Sequence, residues 1–229
     1  MIGAPGGVAV GQGSMMMHWR VGAWVGVAVA AVAALAFAVE REAPYRRQAL
    51  GGAGPGHALV LYHPSRESHF SDELSMAFAQ GLQASGLMVE RATLTADTPA
   101  PGGDWTLVAV VSNTYFSTPD LPTLHYLARV RLDGVPTVGL IGGWGATARS
   151  QRLLDEALRA SGARVLGVHA YWLWRPNAAA STASERDVAV ELARRFGLEL
   201  GGASRAPGPA QDRPPLPRAA SAGIPASPR

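Results

Sequence analysis

The sequence predicts one α/β domain built on a doubly wound, five-stranded parallel sheet and preceded by one transmembrane helix. Short apolar runs alternate with helical patterns, which is typical of strands buried on both faces of a parallel sheet and joined by crossover helices. An uncharged apolar run at 21–39 precedes them. The length of 229 residues suits one such domain with appendages and is short for two.

The run at 21–39 predicts a membrane anchor after an N-terminal extension at 1–20. A helix of this length spans about 28 Å, close to the hydrocarbon thickness of a bilayer. A cleaved signal peptide ending at Ala36-Phe37-Ala38 is the alternative. More arginines follow the run than precede it, which predicts a single-pass protein with its folded domain in the cytoplasm. A start codon within Met15–Met17 is a further alternative for the true N-terminus.

Glycine and proline delimit the folded unit. The run GGAGPG closes a predicted linker at 40–56, and the Pro/Arg-rich tail at 201–229 is predicted to be disordered because it cannot form a core. The remaining domain at 57–200 contains the secondary structure. Buried strands are predicted at 58–62, 106–111, 137–141 and 165–168, an edge strand at 88–94, and helical faces at 70–82, 122–130, 153–158 and 188–196. Gly86, Gly162 and Gly197 are predicted to end three of these helices.

Composition excludes several classes of site. The chain has no cysteine, which excludes disulfides, thiolate zinc sites and cysteine nucleophiles. It also has no lysine, which excludes a lysine Schiff base. Cations and carboxylates balance outside the basic tail, so we predict no nucleic-acid partner. The histidines show no metal-binding spacing. We therefore predict no metal site and nominate no catalytic acid, base or nucleophile.

Three loops follow predicted strands and should meet at one edge of the sheet, where open α/β sheets bind ligands. The first, at 62–71, carries three serines and Arg66 before a helix and predicts an anion site, with an ordinary capped loop as the alternative. The second, at 112–119, carries the adjacent aromatic residues Tyr115 and Phe116, which either stack on a flat ligand or cover the sheet. The third is Gly142-Gly-Trp-Gly145, where glycine permits close approach of backbone to a ligand.

The segments LVLYHPS, SNTYFSTPDLPTLHYL and GVPTVGLIGGWG resemble the flavodoxin family over about residues 57–177. The resemblance implies a flavodoxin-like fold and a site for flavin mononucleotide (FMN), with Tyr115 and Trp144 as the stacking partners of the ring. The residues it implies for cofactor binding are Ser65, Arg66, Ser68, His69, Phe70, Ser71, Ser112, Asn113, Thr114, Tyr115, Phe116, Gly142, Gly143, Trp144 and Gly145.

The first loop departs from the family's phosphate-binding pattern, S/T-x-T-G-N-T. In this sequence His69 stands in place of the glycine and Phe70 in place of the asparagine. A residue with a Cβ is therefore expected at a backbone position that favours glycine.

These observations predict a membrane-anchored, FMN-binding protein that works in electron transfer or in flavin-dependent reduction, for example of a quinone. An FMN-dependent oxidoreductase is one form of this prediction. The altered first loop motivates the alternative, a flavodoxin-like module that has lost FMN and acts as a membrane-tethered binding or scaffold domain. The sequence specifies no redox partner.

Overall fold

The structure is a computed structural model, and it describes residues 24–27, 29–31, 44–65, 68–95, 97–178 and 182–205. From residue 44 onward, the described chain forms seven strands and four helices. They are β1 (Arg47–Gly51), β2 (His57–Tyr62), α1 (Phe70–Ala84), β3 (Met88–Thr93), β4 (Leu107–Tyr115), β5 (Thr118–Pro119), α2 (Leu121–Arg129), β6 (Pro136–Gly143), α3 (Ala148–Ala160), β7 (Arg164–Trp172) and α4 (Glu185–Arg205).

The strands form one mostly parallel sheet in the order β1-β3-β2-β4-β6-β7, with β5 paired to the end of β4. The five strands from β3 to β7 along this path are parallel, as predicted. The chain begins the parallel part at β2, steps outward to β3 and then reverses direction to β4. The switch point between β2 and β4 confirms the prediction of a doubly wound sheet.

Two strands were not predicted, so the expectation of a five-stranded sheet is corrected. The segment 40–56, predicted as a linker, contains β1, which pairs antiparallel with β3 from Arg47↔Ala92 to Gly51↔Val89. β3 is therefore not the edge strand that its alternating pattern predicted. β1 pairs the backbone N–H and C=O groups along the outer side of β3. Native proteins often protect the edge of a sheet from solvent and from other chains.

The second unpredicted strand comes from the region interpreted as a loop. β4 continues through Ser112–Tyr115 because its backbone still pairs with β6 at Asn113↔Gly142 and then with β5 at Tyr115↔Thr118. β6 likewise runs through Gly143. Part of the predicted second and third loops is thus rigid strand, which fixes the backbone of the residues at the sheet edge.

Helices cover both faces of the sheet. α1 and α4 pack on one face over Val60, Ala109 and Leu140, and α2 and α3 pack on the other over Leu61 and Val110. α1 and α4 approach closely through glycines. A Cβ on Gly81 would overlap the backbone oxygen of Arg194, and one on Gly197 would overlap that of Phe78.

The prediction that Gly197 ends the last helix is therefore wrong. This glycine lies inside α4, which continues to Arg205, beyond the predicted domain boundary at residue 200. The absence of a side chain at Gly197 serves helix packing and not termination. The rest of the predicted tail, 206–229, lies outside the described residues.

More than half of the predicted anchor at 21–39 falls outside the described residues. Residues 24–27 and 29–31 are helical. Among the helices that the structure describes, none combines the length and the apolar character needed to cross a bilayer. The anchor at 21–39, the extension at 1–20 and the choice of start codon thus stay predictions.

Candidate functional site

Three loops meet at the carboxyl edge of the sheet, next to the switch point between β2 and β4. They follow β2, β4 and β6, and they enclose a small cleft of about 30 Å³. Nine of the predicted residues line it, together with Leu173, which was not predicted: Ser65, Ser68, Phe70, Asn113, Thr114, Tyr115, Gly142, Gly143 and Trp144. The prediction that the three loops converge on one crevice agrees with this geometry.

Five other predicted residues are described and do not line the cleft. Ser71 and Ser112 are fully buried, whereas His69 and Phe116 are exposed. Gly145 follows Trp144 and accepts a hydrogen bond on its carbonyl oxygen from Arg175 Nη1, at 3.2 Å. Arg66 lies outside the described residues.

The first loop is held together by its own hydroxyl groups. Ser71 Oγ donates to the carbonyl oxygen of His63 at 2.7 Å and accepts from the backbone N–H of Ser65 at 2.9 Å. The hydroxyls of Ser65 and Ser68 are hydrogen-bonded to each other at 3.0 Å. His69 has φ +52°, in the left-handed region, so the position does favour glycine, as the resemblance led us to expect.

An arginine far along the chain ties the first loop to α4. Arg186 Nη2 donates to the carbonyl oxygen of Ser68 at 2.6 Å, and the same guanidinium binds both carboxylate oxygens of Glu73 at 2.6 Å. The hydrogen bond that Arg186 donates to Glu73 raises the pKa of Arg186. Sequence analysis missed this residue, and nothing in the sequence pattern places the start of α4 beside that of α1.

The end of β4 is fixed by Asp120, which sequence analysis also missed. Its buried carboxylate caps α2 by accepting from Thr123 N at 3.0 Å, and it accepts from Asn113 N at 2.7 Å and Ser112 Oγ at 2.8 Å. Asn113 Nδ2 in turn donates to the carbonyl oxygen of His63 at 3.0 Å, joining the first loop to the second. An aspartate just before Leu-Pro is an N-cap signal that was present in the sequence.

The turn between β4 and β5 has an unusual backbone. Phe116 has φ +49° and Ser117 has φ +61°, the combination found in a two-residue type I′ hairpin, where asparagine and glycine are preferred. The left-handed conformation costs a residue with a Cβ about 1–2 kcal/mol. Phe116 is also 78% exposed. Strained backbone that holds a large apolar side chain in solvent is often found at functional sites.

The two glycines at the end of β6 accommodate side chains of the protein itself. A Cβ on Gly142 would stand 3.2 Å from Cδ1 of Phe70, and one on Gly143 would stand 3.1 Å from Cβ of Thr114. Both distances are shorter than normal packing contacts. These two glycines therefore let Phe70 and Thr114 pack against the strand, at positions where sequence analysis expected a ligand.

Aromatic rings lie at the cleft and on the loops beside it. Trp144 is 55% exposed and packs on Trp174, which is 72% exposed, with ring centroids 4.3 Å apart. Trp144 follows the end of β6, and Trp174 follows the end of β7. Trp174 was not among the predicted site residues, although its position after a strand could have indicated it. We call Tyr115, Phe116, Trp144 and Trp174 the aromatic rim. Exposed apolar rings grouped at one edge indicate a binding surface.

One polar atom beside the cleft lacks a partner. The hydroxyl oxygen of Thr114 is buried and has no hydrogen-bond partner among the described residues. Burying a hydroxyl without a hydrogen bond costs about 1–3 kcal/mol. The position is adjacent to Tyr115 and close to Gly143, at the side of the cleft where the rim begins.

Comparison with known proteins supports the fold. No family model matches the sequence, and no curated protein matches it. Among solved structures, a flavodoxin from the domain Archaea aligns with a TM-score of 0.50 at 15% identity, over 65% of this chain and 98% of that chain. The chain has a flavodoxin-like fold.

Two further flavodoxin structures align at lower scores. The flavodoxin, WrbA-like protein from Agrobacterium tumefaciens has a TM-score of 0.48 at 12% identity, over 66% of this chain and 98% of that chain. Oxidised Flavodoxin 1 from Bacillus cereus has a TM-score of 0.48 at 16% identity, over 63% and 96% respectively. At such identities the likeness concerns the arrangement of strands and helices alone.

The described residues offer stacking faces for the flat ring of FMN. Trp144 and Trp174 are exposed beside the cleft. In the described part of the first loop, Ser71 Oγ bridges His63 O and Ser65 N, and the Ser65 and Ser68 hydroxyls are bonded to each other. Arg66, the predicted countercharge for a phosphate, lies outside the described residues.

Proposed function

We propose that this protein binds a flavin by its ring at the aromatic rim and serves in electron transfer. The observation that carries the proposal is the Trp144–Trp174 pair, exposed at the carboxyl edge of a flavodoxin-like sheet and beside the cleft that Tyr115 also lines. A bound flavin supplies one- and two-electron chemistry, while the protein contributes binding and orientation. FMN in particular, and an oxidoreductase activity, remain the finer predictions from the resemblance.

The roles of the protein's own groups follow from their positions. Trp144 and Tyr115 provide faces for stacking, and the strand backbone at Asn113 and Gly142 is held rigid by the sheet and by Asp120. Trp174 packs against Trp144 with ring centroids 4.3 Å apart and so helps to fix its orientation. We assign no proton transfer to any residue.

The test is a titration of the full chain with FMN and with riboflavin, followed by tryptophan fluorescence and visible flavin absorbance. We expect binding of at least one flavin with quenching of tryptophan emission. Trp144→Ala should weaken binding about tenfold, because it removes a stacking face along with its buried apolar surface. Trp105→Ala is the matched control, since Trp105 lies at the opposite edge of the sheet, against His57. The absence of binding of either flavin would contradict the proposal.

We also propose that 21–39 anchors the protein in a membrane with the domain in the cytoplasm, so that a lipid-soluble acceptor such as a quinone is within reach. The uncharged run and the arginines after it support this proposal. The test is fractionation of a C-terminally tagged full chain, with a variant that lacks 21–39 as control. Full-length protein in the soluble fraction would contradict it. So would a C-terminal tag that a protease added to the cytoplasmic face of the membrane fails to cleave.

A second candidate function is a flavin-free binding or scaffold module. The described part of the first loop favours it, because Phe70 packs in the core and Ser71 is hydrogen-bonded within the protein. On this alternative the aromatic rim binds another macromolecule. Colourless protein that shows no flavin binding in the titration above would support it, and a tight complex with either flavin would exclude it.

A further inference from the structure

A second groove lies between α4 and β7, the last strand of the sheet. It has a volume of about 260 Å³ and shares no residue with the cleft beside the aromatic rim. Pockets for drug-sized ligands have volumes of about 300–1,000 Å³. The groove therefore suits a smaller molecule.

β7 is paired on one side only, with β6. Leu173 N donates to Gly143 O, toward β6, whereas the N–H and C=O of Trp172 point away from β6 and bind the side chain of Asn177. Alternate residues of a strand direct their backbone groups to the same side, so the N–H and C=O of Ala170 also point outward. Neither group has a partner among the described residues, and Ala170 lines the groove.

Side-chain amides cover the edge of β7 on both sides of Ala170. Asn177 Oδ1 accepts from Trp172 N at 2.8 Å, and Asn177 Nδ2 donates to Trp172 O at 2.7 Å. Two residues before Ala170, Gln151 Nε2 donates to Val168 O at 3.3 Å. An added peptide strand would have to displace both side chains. The open part of the edge thus suits a single amide group.

The contact between Asn177 and Trp172 shows which chemical group fits Ala170. There, one carboxamide satisfies the N–H and the C=O of a single outward residue. Ala170 presents the same pair of groups at the neighbouring outward position. A carboxylate can accept from the N–H but cannot donate to the C=O, and an ammonium group can donate but cannot accept. The edge therefore favours a carboxamide.

The walls of the groove suit a flat, uncharged ring. Leu192 and Phe196 of α4 supply apolar surface, and the ring of His169 lies 4.1 Å from that of Phe196, measured between centroids. Burial lowers the pKa of His169, so its ring is uncharged at neutral pH. Arg195 and Glu199 also line the groove, and their opposite charges offset each other. A neutral ligand thus meets no unbalanced charge.

A tyrosine hydroxyl at the groove has no partner. Tyr171 lines the groove and is 5% exposed, and its hydroxyl has no hydrogen-bond partner among the described residues. Burial, together with the nearby carboxylate of Glu199, raises the pKa of Tyr171, so the hydroxyl keeps its proton. A polar group that is removed from water without a partner is unfavourable. A ligand in the groove can supply that partner.

We infer that the groove between β7 and α4 binds a small aromatic carboxamide. Its amide group pairs with the N–H and C=O of Ala170, and its ring packs against Leu192 and Phe196. The inference goes beyond the proposed function and does not depend on it, because the groove and the aromatic rim are separate sites.

The test is a titration of the full chain with benzamide, followed by two-dimensional NMR of the backbone amides. We expect the Ala170 N–H signal to shift with added benzamide and to saturate. Benzoate and N,N-dimethylbenzamide should bind at least about fivefold more weakly, because neither has an N–H to donate to the C=O of Ala170.

Two variants test the contacts. Ala170→Pro removes a donor that has no partner in the fold, at an edge position where proline is tolerated. Tyr171→Phe removes only the hydroxyl. Each should weaken benzamide binding at least about threefold. Tyr45→Phe is the matched control and should bind like the wild type, because Tyr45 is exposed and precedes β1 at the opposite end of the sheet. Circular dichroism checks that each variant is folded.

The outcomes also separate the inference from the proposed function. An unshifted Ala170 signal overturns the inference, as do equal dissociation constants for benzamide and N,N-dimethylbenzamide. Unchanged affinity in Tyr171→Phe and in folded Ala170→Pro overturns it as well. If Trp144→Ala loses benzamide binding, the ligand lies at the aromatic rim and the inference fails. If that variant loses flavin binding but keeps benzamide binding, the two sites are separate as inferred.

Discussion

The phenyl ring of Phe70 lies against the backbone of Gly142, so closely that a Cβ on residue 142 would stand 3.2 Å from its Cδ1. The glycine of the third loop therefore accommodates a side chain of the first. Both residues were predicted to touch a cofactor, and the structure shows them touching each other. The two ends of the predicted site are joined by a packing contact.

Gly142→Ala should destabilise the protein by about 1–3 kcal/mol. The new methyl group would press on Phe70 and on Leu74, 3.3 Å away, and both side chains are locked in the core. Chemical unfolding measures the effect. Gly102→Ala is the control, since nothing lies within 4 Å of its Cβ, and it should change stability by less than about 0.5 kcal/mol. The double variant with Phe70→Leu should recover part of the loss; no recovery would show that Phe70 is not the obstacle.

Asp120→Ala should destabilise the protein by about 2–4 kcal/mol. The substitution removes the cap of α2 and leaves the buried Asn113 N–H without its acceptor. The stability of Asp120→Asn should lie between those of the wild type and Asp120→Ala. Its amide oxygen can still accept from Thr123 N, whereas its NH₂ group cannot accept from the Asn113 N–H. Asp133→Ala, at an exposed ion pair with Arg131, should have an effect near zero. Equal unfolding midpoints for Asp120→Ala and Asp133→Ala would contradict this role.

Substitutions in the β4–β5 turn should separate the stability of the protein from its flavin affinity. Ser117→Gly should stabilise the protein by about 1 kcal/mol, because glycine adopts φ +61° without strain. It should leave flavin affinity unchanged. Phe116→Asn should stabilise by a similar amount and weaken flavin binding, since it removes a ring of the aromatic rim. Thermal unfolding and flavin titration measure the two effects, and unchanged affinity in Phe116→Asn would place this ring outside the site.

Stability should fall in alkaline solution because of Tyr126. This side chain is fully buried with its hydroxyl donating to Pro99 O at 3.2 Å, and burial raises its pKa well above the ordinary value of 10.0. The folded state thus keeps a proton that the unfolded chain releases. The contribution is complete below pH 10 and is lost above it, by about 1.4 kcal/mol per pH unit.

Unfolding by denaturant at a series of pH values tests this dependence. Above pH 10, the free energy of unfolding of Tyr126→Phe should fall less steeply with pH than that of the wild type. The difference in slope should be that of one proton, about 1.4 kcal/mol per pH unit. Tyr45→Phe serves as the control because Tyr45 is exposed. Identical slopes for wild type and Tyr126→Phe would mean that Tyr126 ionises as readily in the folded state as in the unfolded one. Tyr171, also buried with a raised pKa, should contribute a parallel slope of its own.

The sequence predicted the parts of the fold that depend on local pattern. Apolar runs identified four of the five parallel strands, and an alternating pattern identified the fifth, β3. Ser65, Asn113 and Gly142 were expected at one edge of the sheet because parallel strands end together, and the structure brings them together there. β1 was missed because Arg47–Gly51 carries no apolar pattern, and its strand conformation depends on pairing with β3. Gly197 was misinterpreted because local propensity cannot distinguish a terminating glycine from one against which another helix packs.

Site residues were predictable where a strand end determined their position and unpredictable where side-chain packing did. The resemblance identified position 70 but not the direction of its ring, which depends on the space left by Gly142. Arg186 contacts the first loop only because α4 returns beside α1 at the end of the fold. Such long-range contacts leave no trace in the spacing of residues along the chain.

The antiparallel direction of β1 determines where the chain enters the domain. Residue 47 pairs with Ala92, near the carboxyl end of β3, and Arg46 bonds to Thr93, so the polypeptide arrives at the same edge of the sheet as Trp144 and Trp174. From residue 39 to residue 47 an extended chain spans at most roughly 30 Å. A bilayer crossed by 21–39 would accordingly lie within roughly that distance of the point where β1 enters the sheet.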